Sequence, residues 1–126
     1  QDPTRLAKPF RVVTDEIGTP TFCEDLAFGI IVLLRKGSRG LFHVTNSGEC
    51  SRFECALAIS EFAEKQGFPF RVPSATTQAE YGLLAHRPEY AVLSNTKFEQ
   101  ETGTSLPHWK DALFRYLSGL ILTGKG

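Results

Sequence analysis

Apolar residues change their spacing several times along this chain, and each change marks an element. Phe10-Arg11-Val12-Val13 is a short strand candidate, followed by a loop, Thr14 to Pro20, punctuated by Gly18 and Pro20. Leu26 to Leu34 is a continuous apolar run with Arg35 directly after it. It is far short of the ~20 residues that span a bilayer, so it predicts a buried helix, from Thr21 to about Lys36, ending at Gly37. The run is apolar nearly all round, which implies burial on more than one side. After Ser51, Ala56, Ile59, Phe62 and Ala63 recur at helical spacing. That helix should run to Gln66, with Gly67 as a left-handed cap and Pro69 preventing continuation.

Thr21 with Glu24, Ser51 with Glu54, and Thr77 with Glu80 all match the capping box. In it a hydroxyl accepts from the N3 amide while the N3 carboxylate reaches back to the N-cap amide. Strands are expected over Gly40 to Thr45, Phe68 to Val72 and Tyr90 to Leu93. Asn46-Ser47-Gly48 reads as the turn leaving the first of these. Asn95 is expected to cap a short helix ending at Gly103. The last helix should open with Pro107, which suits a first turn, and carry a core stripe of Trp109, Leu113, Leu117, Leu120 and Ile121. Strands alternating with helices indicate an α/β class. Residues 1–9 are polar, hold two prolines and read as a connector to one portion, 10–126.

The 126 residues suit one domain or a piece of one, at roughly 100–150 residues per domain. Lysine plus arginine equals aspartate plus glutamate at 14 each, so no global basic field attracts nucleic acid or a membrane surface. No segment reads as a secretory signal. Three cysteines without paired metal-ligand spacing favour a reducing compartment, the cytoplasm. His43, His86 and His108 are not spaced as ligands on one element, so no metal is expected. The chain contains no methionine, which predicts a fragment, a processed product or a domain of a longer protein.

A set of motifs then gains meaning from its order. These are Val12-Val13-Thr14-Asp15-Glu16-Ile17-Gly18-Thr19-Pro20-Thr21, Glu24-Asp25-Leu26-Ala27, and Gly40 through Ser51. Arg87-Pro88, Leu93-Ser94-Asn95, and Leu106-Pro107-His108-Trp109 with Ala112-Leu113 follow. In this order and spacing they resemble the C-terminal, substrate-side part of dTDP-4-dehydrorhamnose reductases, members of the extended short-chain dehydrogenase/reductase superfamily. The resemblance implies the C-terminal part of an extended Rossmann-type reductase, with the cofactor-binding half absent. Its implied reaction reduces dTDP-4-dehydrorhamnose to dTDP-L-rhamnose with NADPH (NADH in some relatives).

The resemblance also implies what this chain should lack. NADPH would be bound by the N-terminal half, through a glycine-rich turn whose amides hold the pyrophosphate. No G-x-G-x-x-G occurs here, and Tyr81, Tyr90 and Tyr116 have no lysine four residues on, so the family's Tyr-x-x-x-Lys pair is missing. No catalytic residue and no cofactor are therefore expected on this chain, which alone should be inactive. Arg87 lies where related enzymes contact the diphosphate of a sugar nucleotide, and a guanidinium fork can serve two phosphate oxygens at once. Glu16 and Thr19 lie in the stretch that lines the sugar-nucleotide pocket in relatives, whereas Thr21 is assigned to its cap. Cys50 and Cys55 sit at hydrophobic-staple positions around Ser51 and read as packing.

A second reading is a non-enzymatic interaction protein, because the regulatory subunit of eukaryotic methionine adenosyltransferase resembles the same reductases. A tyrosine and lysine four apart upstream of Gln1 would favour the enzyme. If helix and strand elements return to the missing half, the Thr21 helix and the strand Leu41–Thr45 should be poorly covered here. Ile30, Ile31, Leu33, Leu34 and Phe42 would then be exposed and favour self-association or a partner.

Overall fold

The computed structural model describes residues 10–82, 85 and 87–122; the connector over 1–9 and His86 lie outside the described residues. In chain order the elements are β1 (Arg11–Val13), β2 (Ile17–Gly18), α1 (Cys23–Lys36), β3 (Cys50–Ser51) and α2 (Arg52–Lys65). They continue with β4 (Ser74–Thr76), α3 (Gln78–Tyr81), α4 (Thr96–Thr102) and α5 (Trp109–Leu122). The α/β class stands. The described residues divide into two compact units, one within 1–17 with 51–90 and one within 18–50 with 91–126. β2 pairs with β3, and the chain changes unit within each of them.

In the first unit β1 runs parallel to β4, with Arg11 opposite Ser74 and Val13 opposite Thr76. Parallel strands need a long connection, and α2, which lies in it, packs against β1. Val13, Ala58 and Thr76 are buried between them. α2 starts on the expected capping box: Glu54 N–H donates to Ser51 Oγ at 3.0 Å and Ser51 N–H to Glu54 Oε1 at 2.8 Å. It ends as expected, with Gly67 at φ 75° and Phe68 N–H reaching back to Ala63 O. The strand expected over Phe68 to Val72 is displaced: pairing begins only past Pro73, which has no N–H to give, at Ser74. Tyr90 to Leu93 is no strand; Tyr90 makes a single bridge with Ile17.

In the second unit α1, α4 and α5 surround Phe98, Leu106, Trp109 and Ala112, all buried. α1 meets α4 at Gly29, where a β-carbon would lie 2.8 Å from Val44 Cγ1 and 3.5 Å from the Phe98 ring. Only a glycine lets the helix approach that closely. α1 ends at Gly37, left-handed at φ 71°, after Arg35 and Lys36, cations that suit the negative end of the helix.

Its start corrects the expectation. The N-cap is Phe22, one residue late, and it makes no side-chain cap bond. The Thr21 hydroxyl instead donates to Thr19 O and receives the Asn46 amide. The Thr77 cap forms in half: Glu80 N–H donates to Thr77 Oγ1, but the Glu80 carboxylate meets that hydroxyl rather than the backbone.

Residues 40–45 form no strand either. Extended backbone needs a ladder partner. Here the Asn95 side chain supplies one residue's worth, accepting from Thr45 N–H and donating to Thr45 O, both at 2.9 Å. That engagement also leaves α4 without a side-chain cap from Asn95. α5 begins at Trp109 rather than Pro107, because Pro107 O is engaged by Ser47 N–H and Asn46 Nδ2. The His108 ring takes the Lys110 N–H in its place.

The expected exposure is found at three of the five positions named. Ile30, Ile31 and Leu34 are 46%, 48% and 73% exposed, while Leu33 and Phe42 are half-buried. No helix among the described residues is long and apolar enough to cross a membrane.

Candidate functional site

The first unit contains an open cavity of about 300 Å³ lined by Arg11, Val12, Val13, Glu16, Arg52, Tyr81 and Arg87. Each polar wall has an identifiable anchor. Strand β1 carries Arg11, and its guanidinium carbon stands 5.3 Å from the Tyr81 ring centroid, at the end of α3. Just past β1, the Asp15 carboxylate accepts the Gln78 amide, which ties the start of α3 to the strand. The Gln78 side chain in turn grips the backbone of Arg87. Its Nε2 donates to Arg87 O at 3.0 Å, and Arg87 N–H donates to its Oε1 at 3.3 Å. Strand, Asp15, Gln78 and Arg87 thus form one chain of position.

Glu16 is buried, at 7% exposure, and is clasped twice by the first residue of α2. Arg52 N–H donates to Glu16 O at 3.1 Å and Arg52 Nε to Glu16 Oε1 at 2.8 Å. Ile17 N–H then reaches Glu89 O, fixing the segment that carries Arg87 and Pro88. Three arginines therefore line one cavity, and the single carboxylate among its lining residues is already paired. Such a surplus suits an anion with several oxygens.

Of the residues singled out from sequence, Arg87 and Glu16 meet on this cavity. Thr19 does not: it belongs to the second unit, where its hydroxyl donates to Gly48 O at 2.8 Å. Sequence reasoning missed Arg11, Arg52 and Tyr81. A signal did exist for Arg52, since a cation in the first turn of a helix opposes the macrodipole and calls for an anion nearby.

The second unit is polar in a different way. Asn46, 1% exposed, accepts the Phe22 amide at 2.7 Å through Oδ1 and donates through Nδ2 to Asp25 Oδ2 at 2.7 Å. Arg115 Nη2 reaches the same Asp25 oxygen at 2.6 Å, and Arg115 Nε reaches Asp111. Burial pushes the Asp25 carboxyl up, but the bonds from Arg115 and Asn46 outweigh it and hold the group below its ordinary 3.8. The Asp25 bond raises Arg115 correspondingly. A cleft of about 230 Å³ beside this network is walled by Phe22, Trp109, Leu113 and Tyr116. Cys23, Cys50 and Cys55 are not joined in disulfides among the described residues, and burial pushes the Cys55 thiol up against the opposing charge of Arg52.

Comparison with known proteins gives a consistent set of likenesses. Residues 4–121 match the family described as RmlD substrate binding domain. The spore coat polysaccharide biosynthesis protein SpsK of Bacillus subtilis (strain 168) is 45% identical over 107 residues, covering 85% of this chain and 36% of that protein. A dTDP-4-dehydrorhamnose reductase of Sinorhizobium fredii (strain NBRC 101917 / NGR234) is 32% identical over 122 residues, covering 90% and 41%. The crystal structure of dTDP-4-dehydrorhamnose reductase from Bacillus anthracis str. Ames, in complex with NADP, is similar at a TM-score of 0.78 and 28% identity, covering 91% of this chain and 40% of that one. A dTDP-4-dehydrorhamnose reductase ortholog from Clostridium acetobutylicum ATCC 824 gives 0.80 and 33%, covering 90% and 39%. This chain thus spans between 36% and 41% of the length of these relatives.

Proposed function

Because the chain belongs to the family of RmlD substrate binding domains, we propose that it is the substrate-holding part of an NADPH-dependent reductase that converts dTDP-4-dehydrorhamnose to dTDP-L-rhamnose. The cavity carries this reading: Arg87, marked by the resemblance, opens onto a space whose positive groups outnumber its one paired carboxylate. A diphosphate supplies the charge and the oxygen geometry that such a space lacks. In this reading NADPH, the hydride source, is held by a part of the parent protein outside this sequence. The chain's own task is to bind and orient the sugar nucleotide.

The test is a titration of the parent reductase. Arg87→Ala should weaken sugar-nucleotide binding by about 1.5–3 kcal/mol, the usual loss for a charge-assisted hydrogen bond. Cofactor binding should be unchanged. Unaltered sugar-nucleotide affinity would return Arg87 to the surface. Absence of any sugar-nucleotide binding in the parent itself would favour the interaction-protein reading. The isolated chain, given NADPH and the 4-keto sugar nucleotide, should oxidise no cofactor above a blank.

A further inference from the structure

We infer that Arg11 and Arg52 are two further anion-binding residues of this cavity, positioned by Tyr81 and Glu16, and that with Arg87 they hold the two phosphoryl groups of a diphosphate. The inference rests on the proposed function for the parent ligand, but the residue roles come from the cavity itself.

Arg52 is the first residue of α2, where the helix presents its positive end and a cation is disfavoured. The clasp by Glu16 offsets that placement and also sets the direction of the side chain. An arginine has five N–H donors. Glu16 takes the one on Nε, and the terminal amino groups of Arg52, whose side chain is 64% exposed, remain for another acceptor. Arg11 is held differently. Its guanidinium lies 5.3 Å from the Tyr81 centroid, a contact made by the ring face that does not consume the N–H groups. Glu16 compensates Arg52, so Arg11 and Arg87 leave the space of about 300 Å³ with a positive surplus that an entering anion offsets. Three arginines around one cavity present more donor forks than a single phosphoryl group can serve, and two linked phosphoryl groups suit them better. Glu16 and Tyr81 are positioning residues in this arrangement, and neither needs to touch the ligand.

Inorganic pyrophosphate, titrated calorimetrically into the 126-residue chain at low salt, is the probe. Arg11→Ala and Arg52→Ala should each weaken its binding by at least about tenfold. Arg52→Lys, which keeps the charge and loses the fork, should weaken it as well. Glu16→Gln separates positioning from bulk charge. It makes the cavity more positive, so charge alone forecasts tighter binding, whereas loss of the Arg52 anchor forecasts weaker binding. The weakening should vanish in an Arg52→Ala background, as coupled residues require. Tyr81→Phe should bind like the parent chain and Tyr81→Leu more weakly.

Unchanged binding in Arg11→Ala and Arg52→Ala, or tighter binding in Glu16→Gln, overturns the inference. Orthophosphate binding as tightly as pyrophosphate overturns the diphosphate assignment. If only Arg87→Ala loses affinity, this inference fails and the proposed function stands. If only the Arg11 and Arg52 variants lose it, the assignment of Arg87 fails instead.

Discussion

The two units use charge in opposite ways. In the second, Asp25, Asn46 and Arg115 satisfy one another, and Asn46 is almost wholly buried. The surplus there is apolar: Phe28, Ile30, Ile31 and Leu34 on α1 are exposed. In the first, Arg11, Arg52 and Arg87 line an open cavity against one carboxylate, so the surplus is positive charge. A polar group inside a satisfied network serves the fold, because removing a partner strands the other. A polar group left over on a cavity wall is available to a ligand. Charge removed from the second unit should therefore cost stability, and charge removed from the first should cost binding.

That contrast can be broken by substitution. The largest effect on folding is expected from Phe98→Ala, which empties the 1%-exposed centre of the second unit. Loss of a buried phenyl costs about 3–5 kcal/mol, to be read by denaturant titration. A loss under 1 kcal/mol would mean that this core is loosely packed.

Asp25→Ala should cost about 1–3 kcal/mol, because it strips Asn46 Nδ2 and Arg115 of a common acceptor. It also carries a pH signature. The folded pKa lies below 3.8, so the stabilisation is fully present above that value and is lost as the pH falls through the folded pKa. Wild-type chain should therefore lose stability in acid more steeply than Asp25→Asn, and parallel acid-unfolding curves would count against the network.

Ser51→Ala removes the complete capping box of α2 and should cost about 1 kcal/mol in a thermal melt. Thr21→Ala, at a start with the same sequence signature, should not show a cap loss of that kind. The smallest change in stability, within about 0.5 kcal/mol, is expected for Leu34→Glu on the exposed face of α1. It should nevertheless reduce any concentration-dependent association seen in sedimentation. Unaltered association would place the contact elsewhere.

Part of the lining of the first unit's candidate cavity was legible for a local reason. Glu16 and Arg87 lie in short motifs that the resemblance marks, and both open onto the cavity. Arg11, Arg52 and Tyr81 carry no such mark, and nothing local links Arg52 to Glu16, 36 positions away. Thr19 lies in the same motif as Glu16, yet the chain changes unit between Ile17 and Gly18, so neighbours in sequence part company.

The sequence by itself determined what short-range physics controls. Gly37, Gly67 and Gly103 stop α1, α2 and α4 because a left-handed turn there suits glycine. Ser51 and Glu54 start α2 because their partners lie within one turn. Tertiary structure decided everything that needed a distant partner. Residues 40–45 and 68–72 have strand-like patterns, but a strand exists only where another backbone supplies the ladder, and the ladder formed at Ser74–Thr76 instead. Thr21 and Glu24 match the same capping signature as Ser51 and Glu54. There the side chain of Asn46, 24 positions from Phe22, takes the Phe22 amide and the helix begins one residue later. Two identical local signals thus met different surroundings, and hydrogen bonds available only in the folded chain chose between them.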